Sequence, residues 1–385
     1  MSKTSSVSVL APVQEKLENS WVRQLCPETR ENLVKSRRVS GLDVENDDNR
    51  TKRPVYNGHY VLVKPTPLRQ PRLVLYSPDV ATMLLNLSHD QIHSQEFVDW
   101  VSGNLVMEET WATGYALSIM GTRYTSNCPY GTGDGYGDGR AISIAEFGGY
   151  ELQLKGAGKT PYARGADGRA VLRSSIREFL ASEAMHYLGV RTTRALSLVV
   201  SDIDKVQRPW YSETRLQIPS MDDPRLAKYS EEDKKKLIAQ LRNEKADPNR
   251  MITEACAITC RVSPSFVRIG HIDLFARRAL QASSMNNNNA DTTTTTNYSL
   301  YDTSTNEWKE LEKIVWHACF REYRNEAYDP FIDSGDIAGA ASAFLDHAAN
   351  RLSTMVAHWV RVGFAQGNFN ADNCLVGGHT MDYGM

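Results

Sequence analysis

A run of low-complexity polar residues from Met285 to Asn297 constrains the fold of this sequence more than any other feature. The run contains four consecutive asparagines and five consecutive threonines. Such a segment buries too little apolar surface to offset the entropy that is lost when it becomes ordered. We therefore predict that residues 285–297 form a disordered loop that separates two structural units.

The parts of the chain before and after this run differ in their apolar patterns. Before it, apolar stretches such as Leu73 to Tyr76 predict strands. After it, the segments Trp308 to Tyr323 and Ile337 to Phe364 have the apolar spacing of helices. The sequence therefore predicts an α+β fold, with a mixed region over residues 56–284 and a helical region over residues 298–385.

The first part of the chain, residues 1 to about 55, is polar and irregular. An acidic run from Asp43 to Asp48 lies next to the basic segment Arg50 to Arg53. This pattern indicates an extended or poorly ordered segment that carries no visible chemistry. The segment also lacks the apolar stretch of a secretory signal and has only weak features of a mitochondrial transit peptide.

Composition limits the partners of the protein. The 385 residues include 44 basic and 46 acidic side chains, which give a net charge of -2. Non-specific nucleic-acid binding depends on a basic excess, so we expect no nucleic-acid partner. No apolar run approaches the ~20 residues that span a bilayer, so we expect no membrane partner. The six cysteines are sparse, which favours a reducing compartment.

The first group of residues that could carry chemistry is a glycine-rich stretch from Gly131 to Arg140, followed by an alternating strand pattern that ends at Lys155. Glycines let backbone N–H groups approach phosphate oxygens, and a lysine at the end of a strand can bind the same phosphates. The spacing fits neither the dinucleotide-binding fingerprint nor the Walker pattern. A flexible hairpin loop is the alternative interpretation.

The second group is a glycine-containing basic loop, from Lys155 through Asp167 and Gly168, that leads into a helix carrying Glu178. A strand lysine and a glutamate on the next helix form the ion pair that positions the phosphate-binding lysine of kinases. The alternative is structural, because Ser175 and Glu178 also have the spacing of a capping box. The sequence alone leaves both interpretations open.

The third group lies near the C-terminus, where Asp372 and Asn373 are followed by Asp382, Tyr383 and Gly384. An Asp-Asn pair followed by Asp-aromatic-Gly is similar to a kinase catalytic loop and its metal-binding aspartate. Carboxylate and amide oxygens suit Mg²⁺. Each piece also occurs in ordinary loops, but the three groups appear in the order expected for a protein-kinase-like fold, and together they favour an ATP site.

Several longer stretches resemble the selenoprotein O family, which comprises protein adenylyltransferases with a pseudokinase-like fold. The resemblance runs from about residue 110 to the end of the sequence. It is carried by Gln153 to Glu178, Thr192 to Leu198, Arg261 to Gly270, Asn370 to Asn373 and Asp382 to Gly384.

The resemblance implies a two-lobed kinase-like fold that binds ATP in a flipped orientation, so that AMP is transferred to Ser, Thr or Tyr hydroxyls of protein substrates. It implies that Asp372 is the catalytic base and that Asn373 and Asp382 bind Mg²⁺ or Mn²⁺. Surface salt bridges are the alternative role for Arg261 and Arg268. By motif match, the residues that contact ATP are Gly137, Gly139, Arg140, Lys155, Asp167, Gly168, Glu178, Arg261, Arg268 and Asp382.

The sequence departs from the family pattern at two places. Gln366 stands where the family commonly has histidine, which puts a supporting contact in doubt. Family members continue with a long helical lobe, so the resemblance implies an incomplete C-terminal lobe. A catalytically inactive nucleotide-binding or interaction module is therefore the alternative function. The resemblance suggests a mitochondrial location, with the cytoplasm as the alternative.

Overall fold

A mostly antiparallel sheet forms the centre of the structure, which is a computed structural model describing residues 8–29, 49–119, 122–125, 128, 130–210, 220–243, 250–287 and 302–383. The sheet order is β1-β3-β6-β7-β10-β9-β2, with β8 paired to β10, while β4 and β5 form a separate hairpin. The strands are β1 (Tyr60–Leu62), β2 (Pro71–Tyr76), β3 (Trp111–Thr113), β4 (Ser118–Ile119), β5 (Thr122–Arg123), β6 (Ala141–Phe147), β7 (Tyr150–Lys155), β8 (Ala170–Val171), β9 (Arg194–Trp210) and β10 (Arg250–Ser263).

Helices occur throughout the described chain, and the longest follow the sheet strands. The Asp79–Leu84 and Arg324–Tyr328 segments are π-helical turns, and Pro224–Leu226 is a 3₁₀ turn. The α-helices are α1 (Ala11–Gln14), α2 (Ser20–Gln24), α3 (His89–Ile92), α4 (Gln95–Val101), α5 (Leu172–Tyr187), α6 (Glu231–Asn243), α7 (Ile269–Asn287), α8 (Asn306–Glu322), α9 (Asp329–Ile332) and α10 (Ile337–Val362).

Local sequence explains the bounds of α10. The Asp336 carboxylate accepts a hydrogen bond from the Gly339 N–H at 2.9 Å, which caps the first turn. Gly363 ends the helix with a φ of 71°, a left-handed conformation that glycine adopts without a steric penalty. The two helices predicted from the apolar spacing of the C-terminal region are confirmed as α8 and α10. Within the described residues, no helix combines the length and apolar character needed to cross a bilayer.

The prediction that residues 285–297 separate two structural units is wrong. Residues 285–287 continue α7, and the rest of the run lies outside the described residues. Helices α7 and α8, on either side of the run, belong to one compact unit that comprises Met1–Asp204 and Cys256–Met385. They share a buried apolar cluster in which Phe275 of α7 lies with Ile314 and Ala318 of α8. Apolar packing therefore holds α7 and α8 in one unit, although a polar low-complexity segment lies between them in the sequence.

The N-terminal segment also differs from its prediction. Residues 8–29 include α1 and α2, and the side chain of Trp21 is fully buried in the same apolar cluster. The Trp21 indole N–H donates to the Glu151 carboxylate at 3.2 Å. Single large apolar residues in a polar context anchor this segment, so it is not poorly ordered over residues 8–29. Residues 30–48 lie outside the described residues.

A second compact unit comprises Lys205–Ala255, a division that the predicted region 56–284 did not include. Its helix α6 carries an ion pair between Glu232 and Lys236 at 3.2 Å, with both side chains exposed. Glu231 pairs with Lys234 at 2.7 Å on the same helix. The α+β prediction is confirmed by the antiparallel sheet and its helices; a two-lobed, kinase-like arrangement with an incomplete helical lobe stays a prediction.

Candidate active site

Strand β7 presents a polar face to the candidate site. Glu151, Gln153 and Lys155 alternate with Leu152 and Leu154, so the polar and apolar side chains point to opposite faces of the sheet. All five residues are buried. Because buried polar side chains need partners, this face predicts a network of hydrogen bonds and ion pairs.

Lys155 is held by two carboxylates. Its Nζ lies 2.6 Å from Glu178 Oε2 and 3.2 Å from Asp382 Oδ1. Glu178 comes from α5, which begins at Leu172 with Val171 as the N-cap residue and no side-chain capping bond. Ser175 and Glu178 therefore lie inside the helix, and the capping-box interpretation is wrong. The structure brings together residues from a strand, a helix and the C-terminal loop.

Arg261 extends this group across the sheet. It lies opposite Gln153 in the β10–β7 register, and its Nη2 donates to Gln153 Oε1. Its Nη1 is 3.4 Å from Glu178 Oε1, so Glu178 contacts both Lys155 and Arg261. Arg261 is 5% exposed, which excludes the alternative of a surface salt bridge. Its Nε has no hydrogen-bond partner among the described residues.

Arg268 forms a second buried ion pair, 2.7 Å from Asp138. Burial opposes ionisation of the Asp138 carboxyl, but the Arg268 guanidinium and the Thr113 hydroxyl outweigh it and lower the pKa of Asp138. The Arg268 guanidinium also lies over the Tyr115 ring, 4.3 Å from its centroid. Nε and Nη1 of Arg268 have no hydrogen-bond partner among the described residues. A buried cation with unused N–H groups suits an anionic ligand.

The glycines around Asp138 are required by close packing. A Cβ at Gly137 would lie 2.4 Å from Cγ of Tyr162 and 2.5 Å from the Thr113 carbonyl oxygen, and a Cβ at Gly139 would lie 2.9 Å from the Tyr162 carbonyl oxygen. The flexible-loop alternative is therefore wrong for residues 137–139, where the backbone is packed closely against its neighbours.

The remaining residues of the predicted ATP-binding set lie at less enclosed positions. Arg140 and Asp167 are exposed, and Asp167 accepts a hydrogen bond from the Arg169 N–H at 2.9 Å. Gly168 is buried with a φ of 75°, and a Cβ there would lie 2.1 Å from the Gly158 carbonyl carbon. The structure therefore gives Gly168 a backbone reason to be glycine and leaves Arg140 and Asp167 accessible from solvent.

The C-terminal loop folds back on itself near these cations. An antiparallel bridge joins Cys374 to Thr380, two residues after Asp372 and two residues before Asp382. Burial raises the pKa of Asp372, and Arg268 opposes this effect. Asp372 Oδ1 is buried without a hydrogen-bond partner among the described residues. Asp372 therefore carries an acceptor atom that the protein itself leaves unused.

Asn373 and Asp382 supply the oxygens predicted to bind a metal. The Asn373 amide nitrogen donates to the Asn368 carbonyl at 3.0 Å, so its amide oxygen is the end suited to a cation. Asp382 has a φ of 66°, an uncommon left-handed conformation for a residue other than glycine. Within the described ranges, no group of three or more His, Cys, Asp or Glu residues could hold a metal. The oxygens of Asn373 and Asp382 suit a hard cation that takes its other ligands from phosphate and water.

Gln366 supports the backbone at Asp382. Its Nε2 donates to the Met381 carbonyl oxygen at 3.1 Å and to the Asp382 carbonyl oxygen at 2.8 Å. The residue that departs from the family pattern thus makes a supporting contact of its own.

Three site residues were not nominated from the sequence: Thr113, Asp138 and Gln153. Asp138 had no distinguishing signal, because Asp134 in the same glycine-rich stretch also stands between two glycines. Thr113 lies on another strand, and nothing near it in sequence points to Asp138.

A strand lysine paired with a helix glutamate, beside an Asp-aromatic-Gly loop, is typical of proteins with a kinase-like nucleotide site. The family model described as protein adenylyltransferase SelO matches residues 50–218 and 240–385. The chain belongs to this SelO family.

Bacterial relatives named protein nucleotidyltransferase YdiU support this assignment. The protein from Azoarcus sp. (strain BH72) is 35% identical over 339 residues, which cover 86% of this chain and 50% of the relative. That from Xanthomonas campestris pv. campestris (strain B100) is 37% identical over 333 residues, covering 84% and 48%. That from Flavobacterium johnsoniae is 34% identical over 356 residues, covering 91% and 53%. The chain spans about half the length of the curated relatives it matches.

Proposed function

We propose that the chain is the nucleotide-binding part of a protein adenylyltransferase that transfers AMP from ATP to Ser, Thr or Tyr hydroxyls of proteins with the help of Mg²⁺ or Mn²⁺. The observation that carries this proposal is the convergence of Lys155, Glu178 and Asp382, with Arg268 and its unused N–H groups among the same predicted site residues. Family membership supports the reaction class.

The cationic side chains are suited to the charges of the reaction. In transfer of AMP, the acceptor oxygen attacks the α-phosphorus, the bond from that phosphorus to the β-bridging oxygen breaks, and pyrophosphate leaves. Negative charge develops on the transferred and leaving phosphate oxygens, where fixed donors stabilise it. Lys155, Arg261 and Arg268 are the residues we assign to this role.

Asp372 is assigned the proton transfer. Its unpartnered, buried carboxylate oxygen is able to accept the proton of the attacking hydroxyl. Asn373 and Asp382 are the residues that would hold the divalent cation, which when bound supplies positive charge at the phosphate oxygens. Gln366 would keep the Asp382 backbone in place for that contact.

The test is transfer of label from ATP to protein. The full chain is incubated with Mg²⁺ and ATP labelled either at the α-phosphate or at the γ-phosphate. Label from the α position alone supports adenylylation, whereas label from the γ position alone indicates a conventional kinase.

An inactive nucleotide-binding module is the second candidate. Metal-dependent thermal protection by ATP without any transfer of label would favour this candidate. Asp382→Ala should remove the metal dependence, while absence of ATP protection in the unsubstituted chain would contradict both candidates. The mitochondrial or cytoplasmic location stays a prediction, and the three relatives named above are bacterial proteins.

A further inference from the structure

A row of three polar side chains crosses the centre of the sheet next to the candidate site. Ser143 on β6 lies opposite Gln153 on β7, and Gln153 lies opposite Arg261 on β10. Directly opposed residues on neighbouring strands are close enough for their side chains to interact. The three side chains are at most 5% exposed, so they must satisfy one another inside the protein.

The hydrogen bonds along this row have a defined direction. Arg261 can only donate, and its Nη2 donates to Gln153 Oε1. The Gln153 amide nitrogen donates to Ser143 Oγ at 3.2 Å, and the Ser143 hydroxyl donates to Glu151 Oε1 at 2.6 Å. A side chain with both a donor and an acceptor at its tip is needed between a donor-only arginine and the serine. Gln153 meets this requirement.

The same row ends at the Lys155 ion pair. The second terminal nitrogen of Arg261 lies 3.4 Å from Glu178 Oε1, while the other oxygen of Glu178 lies 2.6 Å from Lys155 Nζ. The guanidinium is planar and rigid, so fixing Nη2 on Gln153 also fixes the direction in which Nη1 points. The position of Glu178 beside Lys155 therefore depends on Gln153 through Arg261.

We propose that Gln153 is a positioning residue for Lys155: it orients the Arg261 guanidinium, which holds Glu178 where Glu178 fixes the lysine for phosphate binding. The inference rests on the proposed nucleotide site, but the linkage itself is a property of the folded chain. It gives Gln153 a role that the motif match did not assign.

The first experiment compares two substitutions at this position. Gln153→Met has a similar shape and removes both hydrogen bonds, whereas Gln153→Glu keeps an acceptor for Arg261. ATP affinity is measured by titration calorimetry with Mg²⁺, together with the melting temperature. We expect Gln153→Met to weaken ATP binding roughly 10-fold, because Arg261 loses a buried acceptor. We expect Gln153→Glu to restore most of the affinity.

Ser263→Ala is the matched control for loss of a buried polar group on the same sheet. Ser263 lies on β10 opposite Glu151, and its hydroxyl has no partner among the described residues. Unchanged ATP affinity in Gln153→Met, or an equal loss in Ser263→Ala, would overturn the proposal. If Gln153→Met does not fold, Ser143→Ala removes the other support of the Gln153 amide and is expected to weaken ATP binding to a smaller extent.

A second measurement separates this inference from the proposed function. Gln153→Met and Glu178→Gln are combined in a double-mutant cycle, and the denaturation midpoint of each variant is measured without nucleotide. Residues linked through one network give non-additive changes. Additive changes would overturn the linkage even if ATP binds. Non-additive changes in a chain that binds no ATP would retain the linkage and contradict the nucleotide site.

Discussion

The candidate site has a strand side, which comprises Lys155, Glu178 and Arg261, and a loop side, which comprises Arg268, Asp372, Asn373 and Asp382. The two sides differ in how many of their polar groups have partners within the protein. On the strand side, Lys155 has two carboxylate partners, and Glu178 is shared between Lys155 and Arg261. On the loop side, Asp372 Oδ1 and two nitrogens of Arg268 are buried without hydrogen-bond partners among the described residues. Apart from the unpartnered Nε of Arg261, the strand side is organised before any ligand binds, whereas the loop side leaves a carboxylate oxygen and two guanidinium nitrogens available for one.

This difference suits the strand side to nucleotide binding and the loop side to the transfer step. Groups that are fixed in advance lose little entropy when a ligand arrives, which favours affinity. A buried acceptor without a partner costs free energy in the folded chain and is typical of a group kept for a reaction. We therefore expect substitutions on the strand side to change nucleotide affinity, and substitution of Asp372 to change the rate of transfer.

The largest expected effect is on the loop side. Asp372→Asn removes the proton acceptor, so transfer of AMP is expected to fall about 10²- to 10⁴-fold, the usual contribution of a general base. ATP affinity should change little. The melting temperature should stay the same or rise, because a neutral amide costs less to bury than an unpartnered carboxylate. Equal losses of ATP affinity and of AMP-transfer rate in Asp372→Asn would contradict the proposed difference between the two sides.

Lys155→Met tests the strand side. The change removes the positive charge between Glu178 and Asp382 and leaves two carboxylates facing each other. Removal of one partner of a buried ion pair lowers the free energy of unfolding by about 3–5 kcal/mol in other proteins. Partial exposure of Asp382 makes the expected loss smaller here. We expect at least a tenfold loss of ATP affinity and a lower melting temperature.

Lys236→Met is the control for Lys155→Met, because Lys236 pairs with Glu232 on an exposed helix face. It should change neither the ATP affinity nor the melting temperature. Retained ATP affinity in Lys155→Met would show that the lysine is structural only.

The strand side was also the more predictable side. The sequence predicted Lys155, Glu178 and the order of strand and helix, because apolar–polar alternation and helical apolar spacing are local patterns. The partners of Gln153 come from other strands, and only the sheet register reveals them. The burial of Trp21 and the shared packing of α7 and α8 were likewise missed, since burial of isolated apolar residues depends on tertiary contacts.

The loop side was predicted by motif alone. Asp372, Asn373 and Asp382 were nominated from the motif and stay predicted site residues, while the left-handed backbone at Asp382 and the orientation of the Asn373 amide have no local sequence signal. The contact that Gln366 makes was in doubt, because the residue type differs from that of the family.

The third prediction concerns the proton on the buried Glu151–Glu146 pair. Burial and the nearby Glu146 carboxylate raise the pKa of Glu151 from 4.5 to about 7, with Arg321 opposing the shift. Between these two values the folded chain holds a proton that the unfolded chain has lost. Stability therefore falls as pH rises from 4.5 to about 7, by at most ~1.4 kcal/mol per pH unit.

Glu151→Gln should flatten this part of the stability profile, measured as the denaturation midpoint from pH 4 to pH 8. Exposed Glu15→Gln is the control and should leave the profile unchanged. Glu146→Gln should shift the decline towards lower pH, because it removes the neighbouring negative charge. A profile that Glu151→Gln does not alter would mean that another group holds the proton.

The smallest expected effect concerns Gln366, whose side chain donates hydrogen bonds to the loop backbone at Met381 and Asp382. Gln366→Leu removes two hydrogen bonds to the carbonyl oxygens of Met381 and Asp382, each worth about 1 kcal/mol. The backbone at Asp382 holds an uncommon φ, so it should relax once this support is lost. We expect the divalent-metal concentration that gives half-maximal thermal protection by ATP to rise a few-fold.

Gln366→His is the matched variant, because one imidazole N–H is able to restore one of the two hydrogen bonds and should give an intermediate midpoint. Exposed Gln207→Leu, in the second compact unit, should leave the midpoint unchanged. If Gln366→Leu shifted the melting temperature without ligand but left the metal midpoint untouched, Gln366 would be a structural support only. The loop side would then depend on the side chains of Asn373 and Asp382 rather than on the backbone that presents them.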